Sequence, residues 1–197
     1  MYAVGISAKK TARIPYPPCR QLNHLKLLKI DFNEIQKAME DVSRDAFDYF
    51  LDLETGEIKT ISVDALEGAK SSLYKGDELI DESSLEAYDM PEWIEDEVEL
   101  AIRIFSEKQR YVRIPERESK EVYALMKKFT EGIDELMPHD ELSAALNSPN
   151  SFSMFKKTLS AFPEHRKKWF ALNAGAMKKT ITEWLESIGI KPEQGYY

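Results

Sequence analysis

The sequence predicts an α+β fold: a small antiparallel sheet of about three strands packed on helices, with a C-terminal helical bundle. Three observations predict it. Tyr49–Ile58, YFLDLETGEI, alternates like a strand, turns, and alternates back. A second stretch of strand character, Arg110–Pro115 (RYVRIP), follows a long helical pattern. From Ser119 onward the apolar residues recur at helical spacing alone.

The chain of 197 residues suits one domain with extensions. Residues 29–190 read as a single α+β domain, residues 1–28 as a basic extension and 191–197 as a tail. The segment PYPP at Pro15–Pro18 excludes a helix there. Residues 1–28 then have three readings: a disordered basic arm, a start codon assigned too far upstream, or a cleaved targeting peptide. The prolines disfavour the last.

Asp31 caps the first helix, with Glu34 three residues on in the manner of a capping box. Ile35, Ala38, Met39 and Val42 then share one face. In the hairpin, Phe47, Tyr49, Leu51 and Leu53 point to one side, and Asp48, Phe50 and Asp52 to the other. A three-residue loop, Glu54–Gly56, with Gly56 left-handed, sets Tyr49 opposite Ile61 and Phe47 opposite Val63. Residues 64–90 are polar and read as a loop with one short helix. Residues 91–108 form a helix with Pro91 at its start. Trp93, Val98, Ala101, Ile102 and Phe105 make its core stripe.

Ser119 caps a helix carrying Val122, Met126, Phe129 and Ile133. Pro138 starts another, to about Leu146. NSPN at 147–150 is a break. Phe152, Phe155, Leu159 and Phe162 share a helical face. Pro163 restarts the chain, and a last helix with Met177, Ile181, Trp184, Leu185 and Ile188 ends at Gly189.

That order of elements, with LDLETGE and the Phe152–Phe170 block ending in WF, resembles uncharacterised protein family 0158, a bacterial family. The resemblance covers residues 30–190. It implies no activity, ligand or catalytic residue. The chain departs from the family pattern at Pro149 in ALNSPNSF and in the weakly charged NAGAMKKTITEWL.

Charge is segregated although the net value is only -8. Residues 1–30 hold six Lys/Arg and no acid, residues 31–150 thirteen Lys/Arg against thirty-one acids, and residues 151–197 eight against four. An acidic body disfavours general nucleic-acid binding, while the basic C-terminal part permits it locally. The single cysteine, Cys19, excludes an intrachain disulfide and a cysteine-based zinc site. It fits a reducing cytosol. No apolar run approaches the roughly 18 residues of a membrane span.

Chemistry-bearing motifs are sparse. The eight glycines are scattered, so no phosphate-cradling loop forms, and Gly-x-Ser-x-Gly is absent. His24, His139 and His165 are far apart and read as surface residues; no metal site and no cofactor are implied. Glu92, Glu95, Asp96 and Glu99 share a helix face, where carboxylates could hold a cation or act as an acid/base pair. The plainer reading is a solvated face favoured by the helix dipole.

Lys156, Lys157, Arg166, Lys167 and Lys168 lie among Phe152, Phe155, Phe162, Trp169 and Phe170. Cations among aromatic rings can bind single strands, the rings stacking on bases. The rings' helical periodicity already explains them as core, which leaves the cations to be accounted for. The expectation is a non-enzymatic cytoplasmic interaction or regulatory protein using charge-separated surfaces. Its partner is expected to be another protein, with no membrane. The alternatives are an accessory protein binding RNA or single-stranded DNA through the same five cations, and an enzyme with an acidic site around Glu95 and Glu99. No catalytic residue is assigned.

Overall fold

In the computed structural model the described residues are 25–41, 43–75, 78–79 and 92–193, with side chains described outside 71–79 and 92–95. The expectations for residues 1–24, Val42, Pro91 and the Trp93 side chain fall outside them.

Asp31 starts α1 (Phe32–Glu40): its Oδ1 accepts the N–H groups of Asn33 and Glu34 at 2.8 and 3.2 Å. Two of the helix's orphan donors are thereby satisfied. Glu34 turns to Lys37 and does not reach back, so the capping box is half formed. Ile35, Ala38 and Met39 are buried, at the expected spacing.

The hairpin is β2 (Phe47–Asp52) and β3 (Ile58–Ser62). Its register differs by one from the expectation. Tyr49 stands opposite Thr60 and Phe47 opposite Ser62, and Leu51 faces Ile58. The loop holds four residues, Leu53–Gly56: Asp52 N–H donates to Glu57 O, and Gly56 N–H to Asp52 O. Asp52 is the cause. Its Oδ1 accepts the Glu54 N–H at 2.8 Å, which folds the chain one residue earlier. Leu53 N–H then turns to Arg110 O. Gly56 takes the left-handed position, φ 80°. A Cβ there would lie 2.3 Å from Lys29 O, so glycine is required twice over.

The third strand is β6 (Tyr111–Arg113), antiparallel to β2, giving the order β3-β2-β6. The sheet has a core on each side. Leu51 and Ile114, with Tyr49, Ile58 and Val112 beside them, face the first core. Phe50, Ile61 and Tyr111 face the second, with Ala65, Ala69, Val98, Ala101 and Ile104. These last residues belong to α2 (Val63–Leu73) and α3 (Glu92–Ser106). α2 begins directly from β3, where the reading expected mostly loop, and Ala65 and Ala69 give it a flat face for α3. α3 buries Val98, Ala101 and Ile104, with Ile102 and Phe105 at the margin. β4 (Tyr74–Lys75) and β5 (Glu78–Leu79) form a short antiparallel pair after α2.

β1 (Lys26–Leu28) pairs parallel with β7 (Ile190–Pro192), so residues read as extension and tail meet at the first core. Strand pairing between residues so distant in sequence has no local signature.

α4 (Ser119–Glu131), α5 (Leu136–Leu146) and α6 (Ser151–Leu159) enclose a third core of Met126, Ile133, Leu142, Leu146, Phe155, Leu159 and Trp169. Ser119 is the first helical residue, not the cap; Glu118 holds that position without a side-chain bond. α5 begins at Leu136, two residues ahead of Pro138.

α7 (Pro163–Ser187) is one continuous helix of 25 residues. Its N-terminal half buries His165 and Trp169 in or beside the third core, and its C-terminal half sends Met177, Ile181, Trp184 and Leu185 to the first. At about 100° per residue these two buried faces differ by roughly 120° around the axis. α7 is thus a strut that carries two cores on two faces. Gly189, φ 79°, ends it as expected.

Candidate functional site

Charged side chains concentrate in two places. The first surrounds the hairpin. Asp52 is buried and takes Arg110 in a two-point bond, Nε to Oδ1 at 3.0 Å and Nη2 to Oδ2 at 2.7 Å. Burial alone would raise the Asp52 pKa. Arg110 and the Glu54 N–H outweigh it and hold the carboxyl below its ordinary value. Asp52 in turn raises the pKa of Arg110.

Asp48 is shared between Arg44 and Arg113. Arg44 also donates to the carbonyls of Ala38 and Ile114, and its ring-plane contact with Tyr49 is 4.8 Å. Burial lowers the Arg44 pKa, against Asp48, which raises it. Tyr49 donates its hydroxyl to Asp41 at 2.6 Å; that bond lowers the Asp41 pKa and raises that of Tyr49. Arg117, almost fully buried, donates to Glu40 at 2.7 Å.

Every one of these groups has a partner. Glu40 of α1 and Asp48, Asp52 and Glu54 of the hairpin pair with Arg110, Arg113 and Arg117 of the RYVRIPER segment, a set of ion pairs that fastens β2 to β6 and α1. The chemistry of such a set is structural.

The second concentration lies on α6 and α7. Lys156 and Lys157 occupy the last turn of α6, and Arg166, Lys167 and Lys168 the first turns of α7; all five are exposed. None has a carboxylate oxygen within 4 Å among the described residues. Lysines in the last turn of α6 complement its dipole, whereas three cations at the start of α7 oppose theirs.

The aromatic residues divide. Phe155 and Trp169 are interior, rings edge to face at 5.1 Å, with Phe129 5.4 Å from Trp169. They are core, as their spacing implied, and are closed to stacking on a base. Phe162 lies edge-on to His165, and Phe152 lies 6.5 Å from Tyr123. Phe170 is 55% exposed beneath the Arg166 guanidinium.

His165 corrects the surface reading of the histidines. It is buried, with Nε2 3.6 Å from Glu135 Oε2. Position one turn before Trp169 on the same face explains the burial. His139 is half-buried beside Asp140, and His24 lies outside the described residues. The acids of α3 do not converge on any site. Asp96 and Glu99 are exposed, Glu99 lies 3.8 Å from Arg103, and Glu97 accepts the Ser62 hydroxyl. The side chains of Glu92 and Glu95 are outside the described set. Among the described residues no three potential ligands gather to hold a metal.

Lys168 also lines an open groove of about 570 Å³ between α4, the loop at 132–135 and α7. Leu125, Phe129, Ile133 and Leu172 are its apolar lining; Lys128 comes from α4, His165 and Lys168 from α7, and Asp134 and Glu135 from the loop. The sequence reading missed Lys128 and Leu172. Leu172 had a signal, since His165, Trp169 and Leu172 follow helical spacing. Lys128 had none, because the absence of a partner is visible only in three dimensions.

Fold and surface together define an α+β protein whose buried charges are committed to structure, with a cationic helical surface left open. The family model described as Uncharacterised protein family (UPF0158) matches residues 87–194, and the chain belongs to that family. It is similar to the UPF0158 protein PA5073 of Pseudomonas aeruginosa, 22% identical over 168 residues, which cover 85% of this chain and 88% of that one. No solved structure matches the chain. No described helix is long and apolar enough to cross a membrane.

Proposed function

We propose that this protein is a non-enzymatic interaction protein of the cytosol that receives an acidic partner protein on α6 and α7. The supporting observation is the set of five exposed cations, Lys156, Lys157, Arg166, Lys167 and Lys168, without carboxylate partners among the described residues. Arg44, Arg110, Arg113 and Arg117 all have carboxylate partners. Arg166, Lys167 and Lys168, left solvated near the N-terminus of α7, cost stability locally, and a partner's carboxylates would offset that cost.

RNA or single-stranded DNA is the competing partner. The interior position of Phe155 and Trp169 removes two of the rings that reading would use, and the acidic body opposes a phosphate backbone. The test is a titration with fluorescein-labelled acidic peptide and, separately, labelled single-stranded RNA, each at two salt concentrations. Peptide binding that weakens with salt and is lost on Lys/Arg→Glu reversal at the five positions is the expected result. RNA binding with a log–log salt slope of about -3 to -4 would assign the surface to nucleic acid instead.

A further inference from the structure

The groove between α4 and α7 adds a feature that charge alone does not require. Its apolar lining runs along α4 through Leu125 and Phe129, four residues apart, continues at Ile133 in the loop that follows, and is joined by Leu172 from α7. At 1.5 Å per residue Leu125 and Phe129 stand about 6 Å apart along α4, one helical turn, which matches two apolar side chains at i and i+4 on an occupant. Phe129 packs edge to face against the buried Trp169, ring centroids 5.4 Å apart. Leu172 is 41% exposed. The two most exposed large apolar side chains among the described residues, Leu136 at 76% and Met137 at 66%, directly follow Glu135 of the loop. Apolar surface is therefore continued in sequence beyond the groove, where an isolated surface leucine would need no explanation.

The charges give the groove a polarity. Lys128 on α4 and Lys168 on α7 have no carboxylate within 4 Å among the described residues. In the loop, Glu135 is engaged by His165 of α7. The helices contribute the two lysines, and the loop carries the carboxylates of Asp134 and Glu135. An occupant complementary to this surface has apolar side chains at i and i+4 and carboxylates flanking them over the two lysines. That is the chemistry of an amphipathic acidic helix.

We propose that the groove receives such a helix from the partner protein, with its apolar face on Leu125, Phe129 and Leu172 and its carboxylates on Lys128 and Lys168. The inference rests on the reading of α6 and α7 as a surface for an acidic partner and adds the partner's apolar anchor. The five cations steer the encounter; the groove fixes register and orientation.

The probe is a fluorescein-labelled helical peptide with leucines at i and i+4 and glutamates elsewhere, compared with a peptide of equal charge whose leucines are alanine. Binding is measured by anisotropy with the full chain. The leucine peptide is expected to bind at least about tenfold more tightly than the alanine peptide. Leu172→Glu is expected to remove that difference, and Lys128→Glu to weaken both peptides. Both positions face solvent or the open groove, and unchanged thermal midpoints verify folding. Equal binding of the two peptides, or leucine binding that survives Leu172→Glu, overturns the groove while leaving the charged surface standing. Binding of neither peptide overturns both. A concentration-dependent dimer that Leu172→Glu dissolves would also overturn the proposal, because a second copy would then be the occupant.

Discussion

Arg110 grips Asp52 with two nitrogens across 58 residues of sequence, at 3.0 and 2.7 Å. The pair joins the end of β2 to the residue before β6, and the Asp52 carboxylate also shapes the hairpin loop through the Glu54 N–H. One side chain thus sets a turn and fastens a strand. Asp52→Ala is expected to destabilise the fold by about 3 kcal/mol, and Arg110→Ala is expected to destabilise it too because it leaves a buried carboxylate unpaired. The double variant should cost much less than the sum. Urea denaturation of the three variants checks this; additive losses would show that the two residues do not act together.

The same carboxylate gives the fold an acid limit. The Asp52 pKa is lower in the folded protein than its ordinary value of 3.8. A depressed carboxylate stabilises the fold above the unfolded value, and that contribution is lost as pH falls through the folded one. The thermal midpoint is therefore expected to drop as pH falls below the ordinary carboxyl value of 3.8. Asp52→Ala, already lacking the charge, should show a shallower drop. An equally steep acid limb in that variant would move the cause to another group.

The hairpin shows where sequence reading succeeds and where it stops. Alternation along β2 identified which residues face each side, because the pleat enforces a period of two. Register was missed by one, because a polar side chain, Asp52, closed the loop early. The helices from α4 to α7 were legible from apolar spacing, and Phe155 and Trp169 fell in the core as that spacing implied. The β1–β7 pair was not legible, since it depends on a meeting between chain segments over 160 residues apart. The five cations were visible as a set. Their lack of partners, on which the functional reading rests, is a property of the folded surface.

Gly56 is expected to resist substitution for two separable reasons. Its φ of 80° penalises any side chain, and a Cβ would collide with Lys29 O at 2.3 Å. Gly56→Ala should cost roughly 1–3 kcal/mol. Gly175, in the exposed middle of α7, has no atom within 4 Å of a built Cβ. Gly175→Ala should add about 0.5–1 kcal/mol by removing backbone freedom from the unfolded chain and raising helix propensity. Opposite signs in the two midpoints are the measurement; equal signs would remove the conformational explanation.

α7 links the first and third cores, and each holds one tryptophan that reports on it: Trp184 in the first and Trp169 in the third. Between them residues 170–176 are mostly exposed, so the coupling there runs through helix backbone more than through packing. Single-tryptophan variants that keep only Trp169 or only Trp184, the others replaced by Phe, should unfold with coincident midpoints as long as the strut is continuous. Ala174→Pro removes a helical hydrogen bond in that exposed stretch and costs about 3 kcal/mol locally. Introduced into both reporter backgrounds, it is expected to separate the two fluorescence transitions, because each core keeps its own packing but loses the rod joining it to the other. Coincident transitions in the presence of the proline would mean that the cores are coupled through α4–α6 and the sheet instead, and that α7 is a passenger on both.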